Sequence, residues 1–506
     1  AVVTAASSAG IAGYEIPERN IFAQQGHVES PQTTHGKRFF DGFAEVCGIT
    51  PSTAVAEGYI QEILSESDAE TVQKAREGFL QIFLSGGVDS SVSALRAFNA
   101  LKEAGLEHRA VFSYVDTGTM RDNDIAAIEE LIAHGLPVEI LDESELFINT
   151  EIELTAEEAE REKLADPVLP SLENAPNPHI VRLISRYAFV RVHQRQAEKI
   201  RKEHGENTKV FLMMGTNAAD IAESEAGIKP HHNEGIEDST DGVLLPLRRF
   251  FKGQIRKVGR NEGLSESVYA RQPFPGPALS IRVIPSMPDY RVGTEAFEEA
   301  EQALRDYGRT ALGDFKFSLT PDRTRAVRGD AGGYGYSVVL AVKDGSVPWT
   351  ELPEIAREIG NTVHSISRVG LAPLGFEDGM PRHDVGLKRT VDMFNLARKL
   401  ESFKDAWLGE LGIEHELSQH FMALTDSSLI SGAARPSTWL RLFQSGGLGK
   451  ANEDMMTGIV PFPGVDGFVN YDKSLRELAV SMMKNFSIGG FLLDATEKPY
   501  GTVERI

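Results

Sequence analysis

The sequence predicts an α/β fold: a parallel sheet with helices on both faces, followed by smaller α+β lobes. Three observations carry this. Between about residues 60 and 260, apolar runs of strand length alternate with amphipathic segments of helix length. The apolar run Phe79–Leu84 leads directly into a serine- and glycine-rich loop and then a helical pattern. Beyond the proline-rich stretch at 271–280 the alternation gives way to mixed patterning.

At 506 residues the chain exceeds what one core holds, so two to four domains are expected. No apolar run reaches the roughly 20 residues of a membrane span, and no membrane association is expected. The single cysteine, Cys47, allows no internal disulfide; this fits a reducing compartment, and a cytoplasmic location is expected. A net charge of −22 repels polyanions, which argues against nucleic acid as a main partner. The sequence opens Ala-Val-Val-Thr without methionine or signal-peptide pattern, and reads as a chain whose start was removed or as a fragment.

Residues 1–50 read as short strands, with a hairpin made of Gly13–Ile16, a Pro-Glu-Arg-Asn turn and Ile21–Gln25. Two strands cannot stand alone, so this piece must pack on something larger. Residues 56–77 have helical spacing, Phe79–Leu84 is a buried strand, and a helix follows through Lys102. Further strands are expected at Ala110–Val115, Pro137–Leu141 and Val210–Met214, with helices over 122–134 and 178–204. Glu151–Pro176 is acidic and proline-bearing and reads as an excursion or flexible segment. Arg271–Ser280 is a rigid joint. One α+β stretch runs from it to about 376 and a second, after the loop Gly375–Asp384, to the end. The joint's proline–glycine element partly recurs at Ile459–Gly464, so the two stretches read as related lobes.

The chemistry is concentrated in Ser85-Gly86-Gly87-Val88-Asp89-Ser90-Ser91. Glycines let backbone approach a phosphate, the first helical N–H groups are unpaired, and the helix dipole favours an anion there. Ser85, Ser90 and Ser91 add hydroxyl donors. The loop has no lysine, so it is not the loop of kinases and GTPases. Strand, Ser-Gly-Gly-x-Asp-Ser and helix together resemble the PP-loop of ATP pyrophosphatases, which cleave ATP between its α and β phosphates. Gly446-Gly447-Leu448-Gly449-Lys450 lacks a preceding strand and reads as a surface turn.

Further segments resemble GMP synthetase (glutamine-hydrolysing) of the eukaryotic type, in that family's order. Tyr114–Arg121 resembles its second-strand loop, Gly215–Ser224 the segment beside the nucleotide, and Lys229–Asn233 the mobile lid. Gln272–Val283 resembles the joint that receives the purine base, Glu497–Ile506 the substrate-binding tail, and the region around Asp454–Gly458 the extra eukaryotic lobe. The resemblance implies a PP-loop ATP pyrophosphatase domain, adenine nucleotide alpha hydrolase-like, over 53–270. It implies α+β lobes of the dimerisation type at 271–376 and 377–506. Over 1–52 it implies the C-terminal part of a class I glutamine amidotransferase domain. ATP contacts are implied for Ser85, Gly86, Gly87, Val88, Asp89, Ser90, Ser91, Asp116, Gly215, Thr216, Asp220, Glu223 and Ser224. Mg²⁺ is implied on Asp89 and Asp220, both of which also read as helix caps or solvated loop acids. Lys229 would neutralise phosphate charge, and His231 and His232 read as lid residues and not metal ligands. Acceptor contacts are implied for Pro273, Phe274, Pro275, Gly276, Pro277, Arg282, Lys498 and Glu504. The implied reaction adenylates a xanthosine monophosphate-like nucleotide and then aminates it with ammonia, releasing AMP and pyrophosphate. The resemblance also admits a homodimer.

Two departures stand out. Gly26-His27-Val28-Glu29 takes the place of the family's His-Pro-Glu, but a cysteine–histidine–glutamate triad needs a thiolate nucleophile. Cys47 follows the histidine and matches no nucleophile elbow, so His27 and Glu29 are expected to need a complete glutaminase domain or subunit, and the chain alone to use free ammonia. The second departure is Gly332, within Gly329–Tyr336, where the family has a phosphate-binding arginine; Gln272 likewise replaces the joint's usual histidine. The nucleotide half thus matches the family while the acceptor half is edited. Two alternatives follow: a diverged enzyme of specialised metabolism adenylating another purine-like acceptor for amidation or sulfur transfer, and a catalytically weak nucleotide-binding scaffold.

Overall fold

The computed structural model describes residues 1–7, 10–25, 28, 35–50, 53–225, 240–271, 277–287, 291–328, 331–343, 347–377, 381–413, 417, 419–431, 434–443 and 468–496. They fall into two compact units, Ala1–Ile63 and a larger one that begins at Leu64. In the first, β1 (Val2–Ser7), β2 (Gly10–Ile16) and β3 (Ile21–Gln24) form an antiparallel sheet. The expected hairpin is present: Ile16 pairs with Ile21, and Asn20 closes the turn in the left-handed conformation at φ 52°. Helix α1 (Gly36–Val46) sets Phe43 edge-on to Phe22, ring centroids 6.1 Å apart. The long helix α2 (Thr53–Glu77) follows.

In the larger unit β4 (Phe79–Leu84), β5 (Ala110–Asp116), β6 (Val138–Asp142), β7 (Val210–Met213) and β8 (Val243–Leu244) form a parallel sheet in the order β8-β7-β4-β5-β6. Its strands are connected through α3 (Val88–Glu103), α4 (Asp122–Ala133), α5 (Pro178–His204) and α6 (Ala218–Glu225); α7 (Lys252–Asn261) comes after β8. Strand β4 is central and almost wholly buried, because parallel strands are covered on both faces. This places the Ser85–Ser91 loop at the carboxyl ends of the strands, where open α/β sheets bind ligands.

Of the two readings expected for the segment 151–176, the structure shows the excursion. It holds a small hairpin (Ile152–Glu153 with Val168–Leu169) and the helix Ala156–Arg161, whose first turn Thr155 and Glu158 close reciprocally. Ile152, Leu154, Leu169 and Leu172 are buried, and the intervening acids pair outward: Glu162 with Arg186 at 2.7 Å and Glu158 with Arg191 at 2.6 Å. Alternate apolar residues hidden among carboxylates make this a packed excursion, not a flexible one.

Beyond the joint, the strands expected in two lobes join one seven-stranded sheet. After the short edge strand β9 (Val283–Ile284), the first half runs α8 (Glu295–Ala311), β10 (Phe315–Arg328), β11 (Ala331–Val342), α9 (Leu352–Thr362), β12 (Ile366–Leu371). The second repeats that order: α10 (Val391–Leu411), β13 (Gln419–Thr425), β14 (Ser437–Phe443), α11 (Phe468–Asn485), β15 (Gly490–Asp494). In each half the first two strands are antiparallel and the last two parallel. The halves meet where β12 and β15 pair antiparallel, so the sheet reads β9-β13-β14-β15-β12-β11-β10 and is nearly palindromic. The relation between the lobes was legible in sequence; their fusion through a shared seam was not.

At that seam Gly370 faces the buried Trp439, whose indole N–H donates to Thr425 Oγ1 at 3.0 Å. A Cβ on Gly370 would lie 2.3 Å from the Trp439 ring. Gly370→Ala is therefore expected to destabilise the larger unit by about 1–3 kcal/mol through overpacking, read as a lowered denaturation midpoint. Gly409→Ala, on the surface of α10 with open space around it, should not lower it.

Candidate active site

The loop between β4 and α3 is shaped by its own serines. Ser90 Oγ donates to Gly87 O at 3.0 Å and accepts from the Ser85 N–H at 3.2 Å, while Ser85 Oγ lies 3.0 Å from Ser90 Oγ and accepts from the Gly87 N–H at 3.3 Å. Helix α3 has Gly87 as its N-cap and no side chain capping it, so its first N–H groups are left for an incoming anion. Gly86 stands at φ 71°, and a Cβ there would lie 2.7 Å from Asp124 O; only glycine fits.

Asp89, in the first turn of α3, is the centre of the charge arrangement. Its Oδ2 is ion-paired with the ammonium of Lys252, at the start of α7, and lies 3.5 Å from Asn217 Nδ2. Its Oδ1 is buried without a hydrogen-bond partner. Asp220 joins through the same asparagine: Asp220 Oδ2 accepts from the Asn217 N–H at 3.0 Å. Gly215 allows the strand end to approach the helix, since a Cβ there would come within 2.9 Å of Ser90 N. Thr216 and Asn217 beside it are buried. A magnesium ion is held by one or two carboxylates plus phosphate oxygens. The orphaned Asp89 Oδ1 beside an open helix N-terminus fits that need. Among the described residues no cluster of three or more metal-ligating side chains exists.

A second set of contacts supports the loop from behind. Arg271 donates to Gly86 O at 2.7 Å and is ion-paired with Asp124, itself bonded to the Arg121 N–H at 2.8 Å. Burial pulls the Arg271 guanidinium below its usual range, with the Asp124 charge opposing that shift. Asp116 closes the end of β5, its Oδ1 accepting from the Gly118 N–H at 2.9 Å.

No family model matches the chain. It is 31% identical over 397 residues to a "GMP synthase [glutamine-hydrolyzing]" of Corynebacterium diphtheriae, an alignment covering 73% of this chain and 70% of that protein. The chain belongs to the GMP synthase family. It is 26% identical over 546 residues to the "GMP synthase [glutamine-hydrolyzing]" of Dictyostelium discoideum, covering 98% of this chain and 71% of that one. Among solved structures, an NMN synthetase from Francisella tularensis has 16% identity and a TM-score of 0.29 over 50% of this chain and 84% of that one. Membership makes the chain a ligase of the ATP pyrophosphatase type, and its five-stranded parallel sheet has the α/β architecture expected of such a domain.

The structure brings together Ser85–Ser91, Gly215, Thr216 and Asp220, with Asp116 at the end of the adjacent strand. Arg282 is 2% exposed, with its guanidinium 3.6 Å over the Phe421 ring of β13. Pro277 precedes it, its carbonyl accepting from Ser280 Oγ at 2.5 Å. His27, Glu29, Lys229, His231, His232, Pro273, Phe274, Pro275, Gly276, Gly446–Lys450, Lys498 and Glu504 lie outside the described residues, as do the side chains of Glu223 and Ser224. Cys47 is exposed after α1. Lys252, Asn217, Asp124 and Arg271 were missed by the sequence reading. Only Lys252 carries a local signal: a basic residue opening a helix, where the dipole disfavours it, is held there by something else. Asp89→Ala is expected to abolish ATP-dependent pyrophosphate release with the fold intact. Lys252→Met is expected to lower kcat/KM for ATP by roughly 10- to 100-fold, as for loss of one charged hydrogen bond. Pyrophosphate assays beside thermal denaturation check both.

Proposed function

We propose that the chain adenylates a purine nucleotide of the xanthosine monophosphate type and then aminates it. The C2 oxygen of the purine attacks the α-phosphorus of ATP, the bond to the bridging oxygen breaks, and pyrophosphate leaves into the Ser85–Ser91 cradle. Ammonia then attacks C2, AMP departs with the carbon–oxygen electron pair, and loss of a proton gives GMP. The observation that carries this reading is the half-used Asp89 carboxylate at an uncapped helix N-terminus, with Lys252 beside it. In that reading the loop N–H groups and serine hydroxyls receive the leaving pyrophosphate, and Lys252 exchanges its bond to Asp89 for one to a phosphate. Asp89 and Asp220 would hold Mg²⁺, which when bound neutralises phosphate charge. Lys229 is proposed as the lid cation, Pro273–Pro277 as the purine contact, and Lys498 and Glu504 as the acceptor contacts of the tail. The residues 1–52 are proposed as part of a class I glutaminase domain, with 53–270 the ATP pyrophosphatase domain.

One observation favours an altered acceptor. Gly332 lies near the tip of the β10–β11 hairpin, paired with Val327, and supplies no side chain where the resemblance places a phosphate-binding arginine. An arginine–phosphate bond contributes about 1.5–3 kcal/mol, so its loss weakens a phosphorylated acceptor by roughly 10- to 100-fold. Pyrophosphate release measured with xanthosine monophosphate, xanthosine and related purines tests both readings. Release with xanthosine monophosphate at a high KM, lowered by Gly332→Arg, is the expected result. No release with any purine would refute the function. A low-micromolar KM unchanged by Gly332→Arg would refute the altered acceptor.

A further inference from the structure

We propose that Arg398, on α10 of the C-terminal half, is a positioning residue for the nucleotide site, acting through the backbone of the loop that ends β5. The inference rests on the reading that the Ser85–Ser91 cradle takes ATP. All three arms of the Arg398 guanidinium are engaged. Its Nε donates to Met120 O at 2.7 Å, its Nη2 to Gly118 O at 2.9 Å, and its Nη1 to Asn395 Oδ1 one turn back at 2.7 Å. The loop it grips begins at Asp116, on the strand paired with β4, and ends at Arg121 and Asp124. Asp124 is the partner of Arg271, which holds Gly86 O. Arg398 is therefore linked to the phosphate cradle through the Arg121–Asp124 ion pair at 3.3 Å, the Asp124–Arg271 ion pair and the Arg271 bond to Gly86 O.

The same loop is held from a second direction, where the Leu279 N–H in the joint donates to Thr119 O at 3.0 Å. Next to it, Ser402 Oγ donates to Asp122 Oδ2 at 2.7 Å and Asn123 Nδ2 to Asp405 Oδ2 at 3.2 Å. The helix that carries these residues is itself pinned. Lys404 is 1% exposed and reaches Glu401 Oε2 at 2.5 Å, His420 Nδ1 at 2.8 Å and Asp405 Oδ1 at 2.9 Å. Glu401 Oε1 accepts from the Met422 N–H of β13 at 2.6 Å. Desolvation, followed by the Lys404 charge, pushes the His420 imidazole well below its usual range, so it stays neutral and accepts from the ammonium. A buried, fully engaged ammonium fixes the register of α10 on the sheet, and with it the reach of Arg398. The Arg398 side chain is 22% exposed, so its replacement leaves no large cavity. Its fork geometry matches two carbonyls two residues apart, which a lysine serves only one at a time.

Arg398→Met is expected to raise KM for ATP roughly 10-fold while kcat per active site changes less, because the cradle loses its preset shape and not its chemical groups. Arg398→Lys should recover part of that loss. Steady-state pyrophosphate release, corrected for folded fraction by thermal denaturation, gives the split. Unchanged KM for ATP in Arg398→Met, with only a lower melting temperature, would mean Arg398 is merely structural and would overturn the proposal. If the unmodified protein releases no pyrophosphate with any purine, the functional reading fails while Arg398 is still decided by equilibrium ATP binding. Weaker binding in Arg398→Met than in Arg398→Lys and the unmodified chain supports the role, and equal binding in all three refutes it.

Discussion

One guanidinium ties the Ser85–Ser91 loop to the loop that follows β5. Arg271 bridges Gly86 O and the Asp124 carboxylate, and the left-handed Gly86 is what turns that carbonyl towards it. Asp124 is 3% exposed, and removing one member of a buried pair costs about 3–5 kcal/mol, because the other charge is left uncompensated. The loop is thus rigid on its protein side and open on its ligand side, the arrangement an anion site needs if its donors are to be oriented before the ligand arrives. Arg271 is also the first residue of the proline-rich joint. The residue that shapes the phosphate cradle is covalently the start of the segment leading to the C-terminal half.

Local features of this architecture could be read from sequence and cross-chain ones could not. Phe79–Leu84 followed by Ser-Gly-Gly-Val-Asp-Ser announces a strand, an anion loop and a helix, because each signal lies within a few residues of the next. The place of Asp89 in the first turn of α3 was legible for the same reason. Lys252 was not: it is 163 residues from its carboxylate, and nothing in the surrounding Arg-Arg-Phe-Phe-Lys run says which acid it meets. Arg282 also meets a partner that local sequence does not name: the fold stacks it on Phe421, far away in sequence. In the acidic stretch at 151–176 composition leaves an excursion and a flexible segment both open, and the burial of Ile152, Leu154, Leu169 and Leu172 decides for the excursion.

The seam between the two C-terminal halves shows what holds a duplicated element together. Strands β12 and β15 pair over only Gly370–Asp494 and Leu371–Leu493, a short register. Around it sit Arg441 and Asp494, 2.6 Å apart, with Arg368 Nη1 3.8 Å from the same carboxylate oxygen, all without exposure. Thr496 N–H takes the other oxygen at 3.0 Å. Charges in a core add little net stability but are costly to separate, so they specify one pairing over its neighbours. The apolar core continues without a break from Ile184 and Tyr187 of α5 through Leu279 and Ile281 of the joint to Leu340 and Leu440. The C-terminal sheet and the parallel sheet are therefore one packed body, and strain at the joint is transmitted, not absorbed.

That continuity bears on how an acidic protein receives a polyanion. With a net charge of −22 the long-range field opposes a nucleotide triphosphate, so attraction has to come from local, preset groups. In the proposed reading the helix dipole of α3, the uncapped N–H groups and Lys252 would supply it. In the absence of ligand Asp89 and Lys252 neutralise one another, which spares the protein an unpaired ammonium at a half-buried position. The arrangement is asymmetric, however: Asp89 Oδ1 stays unsatisfied while Oδ2 is doubly bonded. A buried acceptor without a donor costs about 1–3 kcal/mol, and a site tolerates that cost most readily when a ligand relieves it. Binding of a cation-neutralised polyphosphate would satisfy Oδ1 and give Lys252 a stronger partner in one event. In that reading the groups that would receive the polyphosphate already stand together at the start of α3.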